Sequence, residues 1–119
     1  METKLLGSWG EEQAANYLKR KGCRILGMNY RCRFGEIDII ACDRNYLIFA
    51  EVKLRKDASF AQAREFVTIG KQNRIRATAA LWLSQNATEL QPRFDVIEIY
   101  APQGRKGAVR IRHVEDAFQ

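Results

Sequence analysis

The sequence predicts an α/β fold with helices packed on a mixed sheet, and three observations carry that expectation. Two stretches place apolar or small residues at helical spacing, around Gly10, Ala14, Tyr17 and Leu18 and around Ile75, Ala79 and Trp82. Between and after them lie short runs rich in β-branched and aromatic residues, bounded by Gly, Asp and Asn. A length of 119 residues, 46% hydrophobic and 29% charged, suits one compact domain spanning 1–119. A core of that size needs neither disulfides nor a structural metal.

The first helix is expected from about Ser8 to Lys21, because Gly22 supplies a C-terminal stop. Cys23 to Leu26 reads as a short strand ended by Gly27. Arg33 to Ile40 reads as a second strand, β-branched in its second half. Asp43, Arg44 and Asn45 are turn chemistry, so Tyr46 to Lys53 returns as a third strand in an antiparallel hairpin. The stretch from Leu54 to Phe66 starts charged and continues weakly helical. Thr68 is an N-cap for a second helix from about Ile69 to Gln85, with Ile75, Ala79 and Trp82 or Leu83 as its buried stripe. Phe94 to Tyr100 forms a strand after Pro92, and Gln103 to Gly107 is a basic turn. Val109 to Val114 is the last strand before a short C-terminal helical piece. The order is αβββαββ.

Twenty Lys and Arg against fourteen Asp and Glu give a formal net charge of +6. Such an excess attracts polyanions, nucleic acid above all, although an anionic membrane surface or plain solubility would also account for it. Three cysteines, Cys23, Cys32 and Cys42, form no CxxC pair, and His113 is the single histidine. That set is too sparse for a structural zinc site and suits free thiols in a reducing cytoplasm. The N-terminal residues lead into no signal-like apolar run, and no stretch is long enough to span a bilayer. A cytoplasmic protein without a membrane partner is expected.

The chemistry concentrates on the hairpin. Residues two apart in a strand share a face, so Leu47, Phe49, Glu51 and Lys53 lie together, opposite Ile48, Ala50 and Val52. The partner strand presents Glu36 and Asp38 on one face and Ile37 and Ile39 on the other. Pairing of the two strands brings Asp38 near Glu51, with up to three carboxylates converging. Each close pair of like charges costs on the order of 3–4 kcal/mol at ~4–5 Å with an effective dielectric of ~20. A divalent cation offsets that cost, and Mg²⁺ prefers one or two carboxylates with water and a substrate phosphate. Lys53 beside it would assist an attacking water and stabilise charge developing on phosphorus. The alternative is that Glu51 and Lys53 form an ion pair on a solvated strand, worth under about 1 kcal/mol.

Three blocks carry a resemblance. Gly10, Glu11, Ala14, Tyr17 and Leu18 form the first; Asn29, Tyr30, Arg31 and Gly35 to Ile40 the second; Phe49 to Lys53 with Arg55 the third. With Val67, Thr68, Lys71, Gln72, Arg93 to Val96 and Asp116 to Phe118, they resemble the YraN-like uncharacterised bacterial family over nearly the whole chain. The resemblance implies a restriction-endonuclease-like fold similar to Holliday-junction resolvases. It also implies a PD-(D/E)xK-type site in which Asp38 and Glu51 bind Mg²⁺, or Mn²⁺ in its place, and Lys53 is catalytic. Glu11 matches the family's helical glutamate, which would help hold the metal, and Gln72 stands where some relatives carry a polar residue. Where the family usually has a glycine near an aromatic after Arg55, this chain has Phe60 and Ala61.

Arg31, Arg33, Arg55, Lys56, Lys71, Arg74 and Arg76, interleaved with Tyr30 and Phe34, read either as a groove for a DNA backbone or as a solvated charged face. Glu36 is either a third metal-shell acid or a salt-bridge partner of Arg31 or Arg33. His113 on its apolar-alternating strand reads as structural, and Trp9 and Trp82 as core or subunit interface. A homodimer would provide two sites for two nicks. Three function classes follow: a Mg²⁺-dependent endonuclease acting on structured or branched DNA, a non-catalytic DNA- or RNA-binding module, and a partner-binding subunit.

Overall fold

The computed structural model describes residues 2–55 and 67–119, with side chains from Ser8 onward. Helix α1 (Glu2–Arg20) leads into β1 (Arg24–Cys32), β2 (Gly35–Cys42) and β3 (Tyr46–Arg55). Helix α2 (Ile69–Gln85) precedes β4 (Gln91–Tyr100) and β5 (Arg110–Phe118), with a 3₁₀ turn at Gly104–Lys106 between those strands. The element order is the expected one. The five strands form one mixed sheet in sequence order, antiparallel at every step except β3 to β4, which run parallel. A parallel pair needs a crossover, and α2 lies within it.

The two helices cover opposite faces, and the alternation of β3 makes both cores. On one face Ala14, Ala15 and Leu18 of α1 pack over Ile39, Ala41, Ile48, Ala50, Ile97 and Ile99. On the other, Ile75 and Ala79 of α2 pack over Ile37, Ile40, Leu47, Phe49 and Val96, with Trp82 and Leu83 at the margin. Trp9 borders the first cluster, so both tryptophans serve packing.

Helix α2 has the bounds that its cap predicts. Thr68, in extended backbone, accepts a hydrogen bond from the Lys71 N–H at 3.1 Å through its Oγ1. Thr68→Ala is expected to lower stability by about 1 kcal/mol, read from urea or thermal unfolding, since it exposes an unpaired helix-start amide. An unchanged midpoint would show that the cap contributes nothing here.

Four local expectations are corrected. Helix α1 begins at Glu2 rather than Ser8, because Glu2, Lys4, Leu5 and Leu6 are good helix formers ahead of the buried stripe. Strand β2 starts at Gly35 rather than Arg33. Strand β1 passes through Gly27 to Cys32, absorbing an irregularity between Ile25 and Gly27 and a positive φ of 53° at Asn29. It is an edge strand, where a bulge leaves no second neighbour unpaired. Strand β5 continues to Phe118 where a helical piece was expected. Phe118 pairs opposite Phe94 and stacks on it with centroids 5.2 Å apart, so tertiary packing overrides local propensity. The weakly helical piece expected before Phe66, Lys56, and the Phe60–Ala61 departure lie outside the described residues. No described helix is long and apolar enough to cross a membrane.

Candidate carboxylate–lysine site

Strands β2 and β3 pair from Cys42–Leu47 as far as Ile39–Ala50. Beyond that point β2 stays with β1 down to Gly35, while β3 stays with β4 up to Arg55. The hairpin therefore parts at Asp38 and Glu51 instead of pairing them directly. Asp38 Oδ2 accepts the Val52 N–H at 2.8 Å, taking the place of the main-chain acceptor that the ladder no longer supplies. Ile37 joins the α2-side core while Ile39 joins the α1-side core, so the alternation expected along β2 breaks at Asp38.

Asp38 and Glu51 are both buried, at 7% and 8% exposure. Burial pushes the Asp38 carboxyl from its ordinary 3.8 up to about 7, with the Glu51 carboxylate adding to it, and the Val52 N–H pulling the other way. Glu11 on α1 and Glu36 raise it further, so both acids lie within electrostatic reach of Asp38.

Two ammonium groups converge on Glu51. Its Oε1 accepts from Lys71 Nζ at 2.6 Å and lies 3.6 Å from Lys53 Nζ. Burial holds Lys53 below the ordinary lysine range, and the Lys71 charge acts in the same direction while Glu51 opposes it. Lys71 is raised: burial works against its charge, but the hydrogen bond and charge of Glu51 outweigh it.

Among the described residues, no three His, Cys, Asp or Glu side chains gather as a metal cluster, so the expected convergence of three carboxylates is absent. The donor chemistry of the remaining pair still fits a hard cation. Asp38 Oδ1 and Glu51 Oε2 accept no hydrogen bond among the described residues, so each carboxylate keeps one hard oxygen for an ion.

The other candidates have separate partners. Glu36 pairs with Arg31. Arg33 stacks over the Phe34 ring at 4.8 Å. Arg55, half-buried, lies 3.8 Å from Glu98. Gln72 is engaged locally, its Nε2 donating to the Val67 carbonyl at 2.9 Å and its Oε1 accepting from Arg76 at 3.1 Å. Lys71 and Arg74 line a groove of about 390 Å³ that runs from Gly35 to Glu51.

Two buried polar networks were missed from sequence. Glu98, fully buried, accepts from the Tyr100 hydroxyl at 2.8 Å. Asp95 is bonded to Arg93 and to His113, whose Nδ1 faces the Tyr17 hydroxyl at 3.1 Å. The signal available was an acid inside an otherwise apolar run, Phe94 to Ile97 for Asp95 and Val96 to Ile99 for Glu98.

A family model described as uncharacterised protein family UPF0102 matches residues 10–99. The chain is 40% identical over 116 residues to a UPF0102 protein of Caldanaerobacter subterraneus subsp. tengcongensis, covering 97% of this chain and 95% of that one. It is 44% identical over 117 residues to one of Pelotomaculum thermopropionicum, covering 97% and 96%. A UPF0102 protein of Clostridium botulinum is 46% identical over 116 residues, covering 96% and 94%.

Proposed function

The chain belongs to the uncharacterised protein family UPF0102, the YraN-like family that its blocks resemble, and from that premise we propose a metal-dependent endonuclease of restriction-endonuclease-like fold acting on structured or branched DNA. The observation that carries the reading is the buried Asp38–Glu51 pair where β2 and β3 part, with Lys53 beside it. Asp38 and Glu51 would hold Mg²⁺, with Mn²⁺ able to replace it. When bound, the ion supplies Lewis acidity toward phosphate and water.

The remaining roles belong to the chain's own side chains. Lys53, depressed by burial, can exchange a proton with the attacking water nearer neutral pH than an exposed lysine can. As an ammonium it stabilises charge developing on the phosphate. Glu11 would support the site from α1 through water. Arg31, Arg33, Arg55, Lys71 and Gln72 would contact the backbone, Lys71 from the groove that reaches Glu51. A reducing cytoplasm suits the three free cysteines. A homodimer would place two such sites for paired nicks.

Cleavage of branched, flapped and single-stranded DNA with Mg²⁺ or Mn²⁺ is the test. Asp38→Ala and Lys53→Ala are each expected to reduce the rate on the order of a hundredfold. Activity indifferent to both substitutions sinks the assignment.

A second reading has its own support. Glu51 already holds two ammonium groups, and the described acids form no cluster of three. A non-catalytic nucleic-acid-binding module on the same fold would keep salt-dependent affinity and turn over nothing with any divalent ion.

A further inference from the structure

We infer that Lys71 is an internal counter-ion which a divalent cation displaces from Glu51, and that the released ammonium then meets a substrate phosphate in the groove it lines with Arg74. The inference rests on the nuclease reading above.

The two lysines on Glu51 differ in freedom. Lys53 is fixed by β3, two residues from Glu51, and its side chain is 20% exposed. Lys71 reaches the same oxygen from the first turn of α2 at 2.6 Å, and its side chain is 40% exposed. A divalent ion on Glu51 repels an ammonium bonded to the same carboxylate, and the side chain with an open path leaves. That path is the groove of about 390 Å³ lined by Gly35, Glu36, Glu51, Thr68 and Arg74. Glu36 in the same groove is paired with Arg31.

The consequence is coupling through one side chain. Cation binding frees a positive charge for phosphate, and phosphate binding holds Lys71 away from Glu51. Each ligand then raises the affinity of the other by the same factor.

Mn²⁺ calorimetry on wild type, Lys71→Met and Asp38→Asn tests the first half. Removing the competing ammonium is expected to tighten Mn²⁺ about fivefold in Lys71→Met. Mass-spectrometric mapping of lysine acetylation tests the displacement itself: the Lys71 amine is expected to label several times faster with saturating Mn²⁺ than without. Unchanged or weaker Mn²⁺ binding in Lys71→Met, or labelling no faster with the ion, overturns the counter-ion role. If Mn²⁺ binding still depends on Asp38 in that case, the metal reading stands and only the counter-ion role falls. Wild type that binds no Mn²⁺, or binds it equally well as Asp38→Asn, removes the metal reading and this inference with it.

Discussion

Asp38→Asn is expected to raise the stability of the cation-free protein at neutral pH while removing one of the two carboxylates proposed above to hold the cation. The sign follows from the carboxyl pushed from 3.8 up to about 7 by burial and by Glu51. Below 3.8 both folded and unfolded chains hold the proton, and Asp38 has no pH-dependent effect on stability. Between 3.8 and about 7 the unfolded chain gives it up first, so stability falls as pH rises. Above about 7 the penalty is complete, on the order of 4 kcal/mol.

Asparagine is neutral and keeps a carbonyl oxygen for the Val52 N–H, so it avoids that penalty. The melting temperatures of the two proteins should converge near pH 4 and separate by more than about 10 °C near pH 8, with the variant higher. On the metal-dependent reading proposed above, millimolar Mg²⁺ should then raise wild type alone, because the ion offsets the buried charge of Asp38 that the variant lacks. A variant less stable than wild type near pH 8, or a gap that does not change with pH, contradicts the account. The trade is the one expected of a binding site: strain held by the fold is relieved by the ligand.

What could be read from the chain follows the range of the forces involved. The bounds of α2 were legible because a threonine cap and a helical stripe are local signals, and the cap is made by Thr68 itself. The two faces of β3 were legible because alternation needs no knowledge of neighbours. The parting of β2 from β3 was not, since nothing in Glu36 to Asp38 or in Glu51 to Lys53 announces that the ladder stops. Lys71 on Glu51 was equally hidden: the bond spans twenty positions and exists only because α2 packs on that face of the sheet. Sequence placed Lys71 among backbone contacts, which is where a surface lysine belongs until a fold gives it a buried partner.

Asp95→Ala is expected to cost roughly 3–5 kcal/mol, the scale of breaking a buried charge network from one side. Asp95 is fully buried and accepts four hydrogen bonds. Arg93 supplies two at 2.9 Å, His113 Nε2 one at 2.7 Å, and the Asp116 N–H one at 3.0 Å. Burial alone would raise its carboxyl, but His113, Arg93 and the Asp116 amide together hold it below 3.8. Its contribution is thus complete above 3.8 and is lost as pH falls through the lower folded value. The loss in Asp95→Ala should be largest at neutral pH and shrink in strong acid.

The network joins three elements, because His113 of β5 also faces Tyr17 of α1, while the bond from the Asp116 N–H to Asp95 holds Asp116, a left-handed residue with φ 52°, where β5 continues to Phe118. Arg93 retains Glu115 at 3.4 Å and the Tyr46 ring at 4.6 Å, so the unpaired remainder in the variant is chiefly His113 and the Asp116 amide. Asp95→Asn should therefore fall between wild type and alanine, keeping the Asp116 bond through its amide oxygen and losing the negative charge that pairs with Arg93. Urea unfolding near pH 7 orders the three proteins. A loss under about 1 kcal/mol for alanine, or asparagine equal to wild type, would mean that packing of Phe94 and Phe118 rather than this carboxylate fixes the sheet edge.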